Sequence, residues 1–522
     1  MNPPTATAAA RAMNAPAVSA DTSFFGHPRG LSTLFFSEMW ERFSYYGMRG
    51  FLILYMTAAV TAGGMGLDTA TAAAVYGTYT SLVYLMSIPG GWLADRVLGQ
   101  RKAVLYGGIL IAAGHFTLAI PIAWSFYAGL VLIVLGTGLL KPNISVIVGQ
   151  MYGPNDVRRD AGFSIFYMGI NLGAFMGPLL TGFLAQDPRF RSLIAGWGMD
   201  PNSAWHWAFG AAGVGMTLGL IQYVVMGSAM GSAGMKPGGA TTPQLAEKYK
   251  RQAVRYAGGA TALVVAVALL ALAGVIAISP TTVRDVTGYS LLIITVIFFA
   301  TLFLDRSWTP QERGRLWVIF VFFVCAAIFW SVFEQAGSTL NLFADRSTRN
   351  SMLGFDFPSS WFQSVNALFI IIFAPMFAWV WLKLGPKQPS APVKFSIGLI
   401  GVGLGFLILV PAAQAADAGG VLVSPMWLVM VYLVHTFAEL CLSPVGLSSM
   451  TKLAPPRVVG SMMGVWFLGA SAGNFMAGQM ASFYEAMPLD RLFMTVSILP
   501  IVAGIVMLAL SSRIKRLMGG VS

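Results

Sequence analysis

Residues 161–184 read AGFSIFYMGINLGAFMGPLLTGFL, and residues 457–481 read RVVGSMMGVWFLGASAGNFMAGQMA. Both carry Gly-x-x-x-Gly-x-Phe-Met: Gly169, Gly173, Phe175 and Met176 in the first, Gly469, Gly473, Phe475 and Met476 in the second, with Phe166 against Trp466. Each follows an apolar stretch interrupted by proline, at Lys141-Pro142 and at Ser443-Pro444, which predicts a broken helix at each place. A weaker correspondence sets Trp40-Glu41-Arg42 against Phe333-Glu334-Gln335. One such Gly-x-x-x-Gly pair is common wherever membrane helices pack. Three correspondences in the same order point to an internal repeat.

The rest of the chain fits that reading. Of 522 residues, 56% are hydrophobic and 10% charged, too few charges to clothe a soluble protein of this size. The apolar residues come in long blocks such as Ile109–Ala123, Leu291–Leu304 and Phe493–Leu510. Counted as stretches of about 20 residues, roughly fourteen membrane spans are expected. Two of them are taken as continuous over 71–94 and 315–341. A Gly/Pro/Ser/Thr-rich connection follows the sixth span. The expected organisation is a tail over 1–30, a six-helix bundle over 31–228, a cytoplasmic linker over 229–253, a two-helix insert with its linker over 254–313, a second six-helix bundle over 314–512, and a tail over 513–522. A parallel repeat of two six-helix bundles is the major-facilitator architecture, in which the halves rock about a central site. The fold class is therefore an all-α polytopic membrane protein.

The net charge of +12 would suit a nucleic-acid binder, but its distribution does not. With the N-terminus in the cytoplasm, about 23 of the Lys and Arg fall in cytoplasmic segments and about six outside. The excess is thus an orientation signal, with both termini inside, and no nucleic acid is implied. The first ~22 residues are Ala-rich without a concentrated apolar block, so they read as a disordered tail and not a signal peptide. Cys325 and Cys441 both lie in apolar spans, which excludes a disulfide framework. His27, His115, His206 and His435 are scattered, with no pair at metal-ligand spacing. No cofactor or metal is expected, and no nucleophile–base pair of a membrane enzyme stands out. Without a Gly-x-x-x-x-Gly-Lys-Ser/Thr motif there is no sign of ATP coupling either.

Seven ionisable residues interrupt the apolar spans: Glu38, Glu41, Arg42, Arg49, Lys141, Glu334 and Glu439. Each isolated charge at the bilayer centre costs about 3 kcal/mol, so together they would cost roughly 20. Such residues persist only if they pair or face water. Glu38, Glu41, Arg42, Tyr45 and Arg49 follow one helical face, flanked by Tyr46. An ion-pair ladder that merely staples the bundle would need fewer charges. Three cations against four carboxylates leave one carboxylate to hold a proton or await a cation. A peptide zwitterion asks for both signs, and this set provides both.

The motifs lead further. Gly91-x-x-x-Asp95-Arg96-x-x-Gly99-x-Arg101-Lys102 resembles the cytoplasmic loop signature of the major facilitator superfamily, suited to gating contacts between bundles. Glu38-x-x-Glu41-Arg42-Phe43-x-Tyr45-Tyr46-Gly47, Gly136-Thr137-Gly138-Leu139-Leu140-Lys141-Pro142-Asn143 and Phe163-x-x-Phe166-Tyr167-x-x-Ile170-Asn171-x-Gly173 resemble motifs of the proton-dependent oligopeptide transporter family. So do Phe333-Glu334-Gln335, Trp361-Phe362-Gln363-Ser364-x-Asn366 and Glu439-Leu440-x-x-Ser443-Pro444-x-Gly446-Leu447-Ser448. The resemblance runs from about residue 24 to 512.

It implies a proton-coupled symporter of the bacterial inner membrane, importing di- and tripeptides by alternating access and working as a monomer. Arg42 and Lys141 would bind the peptide carboxylate. Glu439, with Asn171 and Asn366, would bind the amino terminus. Tyr45, Tyr46 and Tyr84 would supply hydroxyls and aromatic walls, and Trp466 would line a side-chain pocket. Glu334 would pair alternately with Lys141 or Arg49, and Glu38 and Glu41 would serve proton coupling and gating. The chain departs from many relatives at Ala336 and Ala470. His435 lies one turn before Glu439, where a neutral, hydrogen-bonded imidazole is the favoured reading. The nearest rival is a carrier of the same fold for another anionic solute such as nitrate, which a carboxylate at Glu439 would repel.

Overall fold

Only structures that satisfy their own backbone hydrogen bonds can cross hydrocarbon, and this chain answers with helices. A computed structural model describes residues 21–153, 156–455 and 457–520. The expected N-terminal tail lies outside the described residues up to position 20, as do the last two residues of the C-terminal tail.

The first half comprises α1 (Gly30–Thr57), α2 (Thr69–Leu85), α3 (Ser87–Leu93), α4 (Gln100–Leu118), α5 (Ala123–Gln150), α6 (Arg159–Gln186), the short α7 (Pro188–Gly196) and α8 (Ala204–Val225). Two helices follow, α9 (Pro243–Leu272) and α10 (Pro280–Leu304). The second half holds α11 (Pro310–Phe333), the short α12 (Thr339–Arg346), α13 (Gln363–Leu384), α14 (Ala391–Gly419), α15 (Met426–Leu453), α16 (Val459–Ala481) and α17 (Leu489–Leu517). A small hairpin between α12 and α13 pairs β1 (Ser351–Met352) with β2 (Phe355–Asp356) antiparallel.

The repeat read from the sequence is visible in the packing. Helix α1 packs on α6 and α8 as α11 packs on α16 and α17, and α4 pairs with α5 and α8 as α14 pairs with α15 and α17. Between the halves, α2 lies against α16 and α6 against α13, so each half lends its second and fifth helix to the seam. The glycine motif explains why. A Cβ on Gly173 would overlap the Met39 carbonyl of α1, and one on Gly473 would lie 2.5 Å from Trp330 Cβ of α11. Matching glycines thus admit matching backbones in the two bundles.

Among the described residues, ten helical segments are long and apolar enough to cross a membrane. That is fewer than the fourteen expected, and the physical reasons differ. Helix α1 carries four charges, α2 stops after 17 residues at Met86, α4 opens on Arg101 and Lys102, and α16 is rich in Gly, Ser and Ala. Helices α2 and α3 replace the single expected span, with a π-turn over Ala94–Leu98 leading into Gly99.

Three further expectations need correction. Helices α5 and α15 run unbroken through Pro142 and Pro444. At Pro142 the missing N–H leaves the Gly138 carbonyl without its helical donor, and the Asn143 side-chain amide donates one position on, to the Leu139 carbonyl at 2.7 Å. Conversely, the span expected over 315–341 breaks: α11 ends at Phe333, a 3₁₀ turn covers Glu334–Gly337, and α12 restarts at Thr339. Finally, α9 begins inside the expected linker, because Thr242 caps it by accepting the Leu245 amide and Pro243 occupies its first turn.

Candidate functional site

Helix α1 sets the site. The 3.6-residue period puts Glu38, Glu41, Arg42, Tyr45 and Arg49 on one face, and all five are buried. Arg42 Nε lies 3.1 Å from Glu38 Oε1 and also donates to Glu41 Oε2. Its guanidinium stands over the Tyr45 ring, 5.3 Å from the centroid. One oxygen of each carboxylate, Glu38 Oε2 and Glu41 Oε1, has no protein hydrogen-bond partner, nor has Arg42 Nη2. The cluster therefore keeps donor and acceptor capacity in reserve.

Two turns along, Arg49 reaches across the seam. Its Nη2 is 2.5 Å from Glu334 Oε2 and 3.2 Å from the Glu334 carbonyl, while Nε donates to the Tyr76 hydroxyl at 2.5 Å. These contacts fall where α11 gives way to the 3₁₀ turn that begins at Glu334. Asn341 adds a bond to the Gly50 carbonyl at 2.7 Å, tying α12 to α1.

Lys141, on α5, sits apart from the carboxylates. Its Nζ rests 3.8 Å from the centroid of the Tyr84 ring of α2, and it has no ion pair within 4 Å among the described residues. Glu334 thus pairs here with Arg49 and not with Lys141. In the second bundle, Asn366 of α13 donates to Glu439 Oε2 at 3.3 Å and to Thr436 at 3.0 Å. Asn171 donates to the Tyr167 carbonyl of its own helix at 3.0 Å, and no hydrogen bond draws it to Glu439. Trp466 is buried and lies against Gly446. His435 Nε2 meets the Val402 carbonyl at 3.0 Å, and its ring lies near those of Phe333 and Phe406. These groups hold the ring, while Glu439 accepts from Asn366.

The loop motif has a local use. Gly99 takes φ 78° and opens α4. Asp95 accepts from the Gln100 amide at 2.7 Å, Arg96 lies between the Trp92 and Tyr249 rings, and Arg101 donates to the carbonyls of Ala233 and Gly231 at 2.6 Å each. A Cβ added to Gly91 would lie 3.8 Å from Pro142. In this conformation the motif holds the linker and α9 to the first bundle, where contacts between bundles were expected.

Several residues outside the expected set join the site. Tyr76 receives Arg49, and Gln363 donates to Tyr432 and to the Ala336 carbonyl. Ser81 and Ser471 bond each other at 2.9 Å across the seam. Tyr76 was within reach of sequence reasoning, since it precedes Tyr84 by eight residues and shares its helical face. At the end bearing loops 58–68 and 482–488 the halves are clasped. Glu485 accepts from Thr69 at 2.5 Å and from Arg346 at 2.6 Å, and Gln186 bonds Ser359 at 2.8 Å. The Thr69 hydroxyl first, and Arg346 with it, hold the Glu485 carboxyl below its usual range.

A family model described as "PTR2: POT family" matches residues 101–499. The "Peptide transporter YePEPT" of Yersinia enterocolitica is 44% identical over 95% of this chain and 96% of its own length. The "Di-/tripeptide transporter" of Lactococcus lactis subsp. cremoris is 37% identical over 96% and 98%. A crystal structure of peptide transporter POT in complex with sulfate superposes with a TM-score of 0.86 at 45% identity, covering 95% of this chain and 97% of that one.

Proposed function

Since the chain belongs to the POT family, we propose that it is a proton-coupled symporter of the bacterial inner membrane that imports di- and tripeptides by alternating access. The observation that carries the reading is the division of charge between the bundles. The first bundle offers Arg42 and Lys141 to a carboxylate, the second offers Glu439, positioned by Asn366, to an ammonium group. Arg49 and Glu334 join the two bundles. Relatives named as peptide and di-/tripeptide transporters support the substrate class.

In this scheme Tyr45, Tyr46 and Tyr84 wall the site, Asn171 turns toward the amino terminus when substrate is bound, and Trp466 borders a side-chain pocket. Glu38 and Glu41 exchange protons, since each shares one guanidinium and cannot be fully paired by it. Glu334 leaves Arg49 for Lys141 as the halves rock. The rocking units are 31–228 and 314–512, both termini are cytoplasmic, the unit is the monomer, and the proton gradient replaces any cofactor.

Ligand-dependent thermal unfolding of the purified chain tests the substrate assignment, because a ligand that binds only the folded state raises the midpoint. Dialanine and trialanine are expected to raise it, and nitrate to leave it unchanged. A shift with nitrate and none with peptides would replace this reading by the anion-carrier one.

A further inference from the structure

Away from the charged site, α8 borders a lateral groove of about 1210 Å³. Its floor is apolar, formed by Trp40 and Phe43 of α1, Leu180 of α6, and Val214 and Leu218 of α8. Trp40 and Phe43 reach it over Gly215 and Gly219, where a side chain would block them. From Ser203 to Leu218 the groove follows the helix for about 22 Å, close to the depth of one leaflet with its headgroup zone. Its mouth is polar, with Asp200, Asn202, Ser203 and His206, and lies at the end where Glu485 clasps the halves. No Lys or Arg lines it, and Asp200 has no ion pair within 4 Å among the described residues.

We propose that this groove binds one aminophospholipid, its acyl chain along α8 and its ammonium headgroup on Asp200. A polar, acidic mouth above an apolar trough matches a cationic amine above hydrocarbon, and it disfavours a purely anionic headgroup. Because the floor is the back of the helix that carries Glu41 and Arg42, the lipid would also brace α1. This inference stands apart from peptide transport, and its test reads lipid binding alone.

Gly210 makes the test clean. A Cβ there meets only Ala119 Cβ, at 3.9 Å, so Gly210→Leu enters the groove from an unobstructed Cβ and narrows it, with better helix propensity. Asp200→Asn keeps the oxygen that accepts the Asn202 amide at 2.9 Å but removes the charge. Native mass spectrometry of the full chain would be run with palmitoyl-oleoyl phosphatidylethanolamine or phosphatidylglycerol. The parent chain is expected to retain one phosphatidylethanolamine with about tenfold preference. Gly210→Leu should lose that adduct, and Asp200→Asn should keep a lipid but bind both headgroups alike. Equal retention by Gly210→Leu, or no headgroup preference in the parent, would overturn the proposal. So would a parent that is dimeric by mass and becomes monomeric in Gly210→Leu with its lipid count unchanged, since the groove would then seat a second copy.

Discussion

Glu334 is buried and Glu439 half-buried in the second bundle, and their surroundings ask different things of them. Glu439 has the neutral amide of Asn366 as its partner and so remains available to a cation. Glu439→Gln is expected to weaken dialanine more than N-acetyl-dialanine, by about tenfold in competition for uptake, the worth of one charge-assisted hydrogen bond. Equal losses for the two would detach Glu439 from the amino terminus. Glu334 is ion-paired with Arg49. Removing one partner of a buried pair leaves the other charge stranded, at about 3–5 kcal/mol. Arg49→Ala should therefore lower the thermal midpoint of the purified chain more than Arg49→Met combined with Glu334→Leu. A double variant less stable than the single one would show that the pair is not coupled. The residues themselves were legible because charge within apolar sequence is conspicuous. Their partners were not, since the choice of Arg49 over Lys141 depends on how the halves stand.

Helix ends were the harder part to read. Pro142 and Pro444 read as breaks in the sequence, but a proline inside a packed membrane helix is tolerated, and α5 and α15 continue through both. The real break falls after Phe333 in an apolar run with no proline, where Arg49 and Tyr76 reward it. The start of α9 was signalled by Thr242-Pro243 but was masked by the glycines around it. The clasp of α2, α12 and α16 at Glu485 yields a pH prediction. Its carboxyl is held low, so the stabilisation is complete above the ordinary carboxylate range and fades as pH falls through the lowered value. Exposed ion pairs contribute only about 0–1 kcal/mol. Glu485→Gln should thus shift the closed-to-open ratio of that end by less than about fivefold, and the variant should lose the part of the acid response that Glu485 supplies. Spin labels on either side of the clasp would measure it, and a variant that keeps the parent's response to acid would exclude Glu485 as its source.

At the scale of the molecule, the architecture was legible because the repeat leaves its mark twice, as glycine spacing in the sequence and as matched helix packing in the structure. The two bundles share a seam built from second and fifth helices, drawn close where Gly77 meets Gly478. Arg49–Glu334 and the Thr69–Glu485 bond cross it. An ammonium group arriving at Glu439 and a carboxylate at Lys141 would bridge the halves, and a proton on the α1 carboxylates would free Arg42 to join them. Transport then needs both solutes. The most direct measurement is uptake of labelled dialanine into proteoliposomes with and without an inward proton gradient. The account predicts accumulation against the peptide gradient only when the proton gradient is imposed, abolished by Lys141→Ala and competed by unlabelled di- and tripeptides. Equal accumulation without the gradient, or none in either case from folded protein, would contradict it.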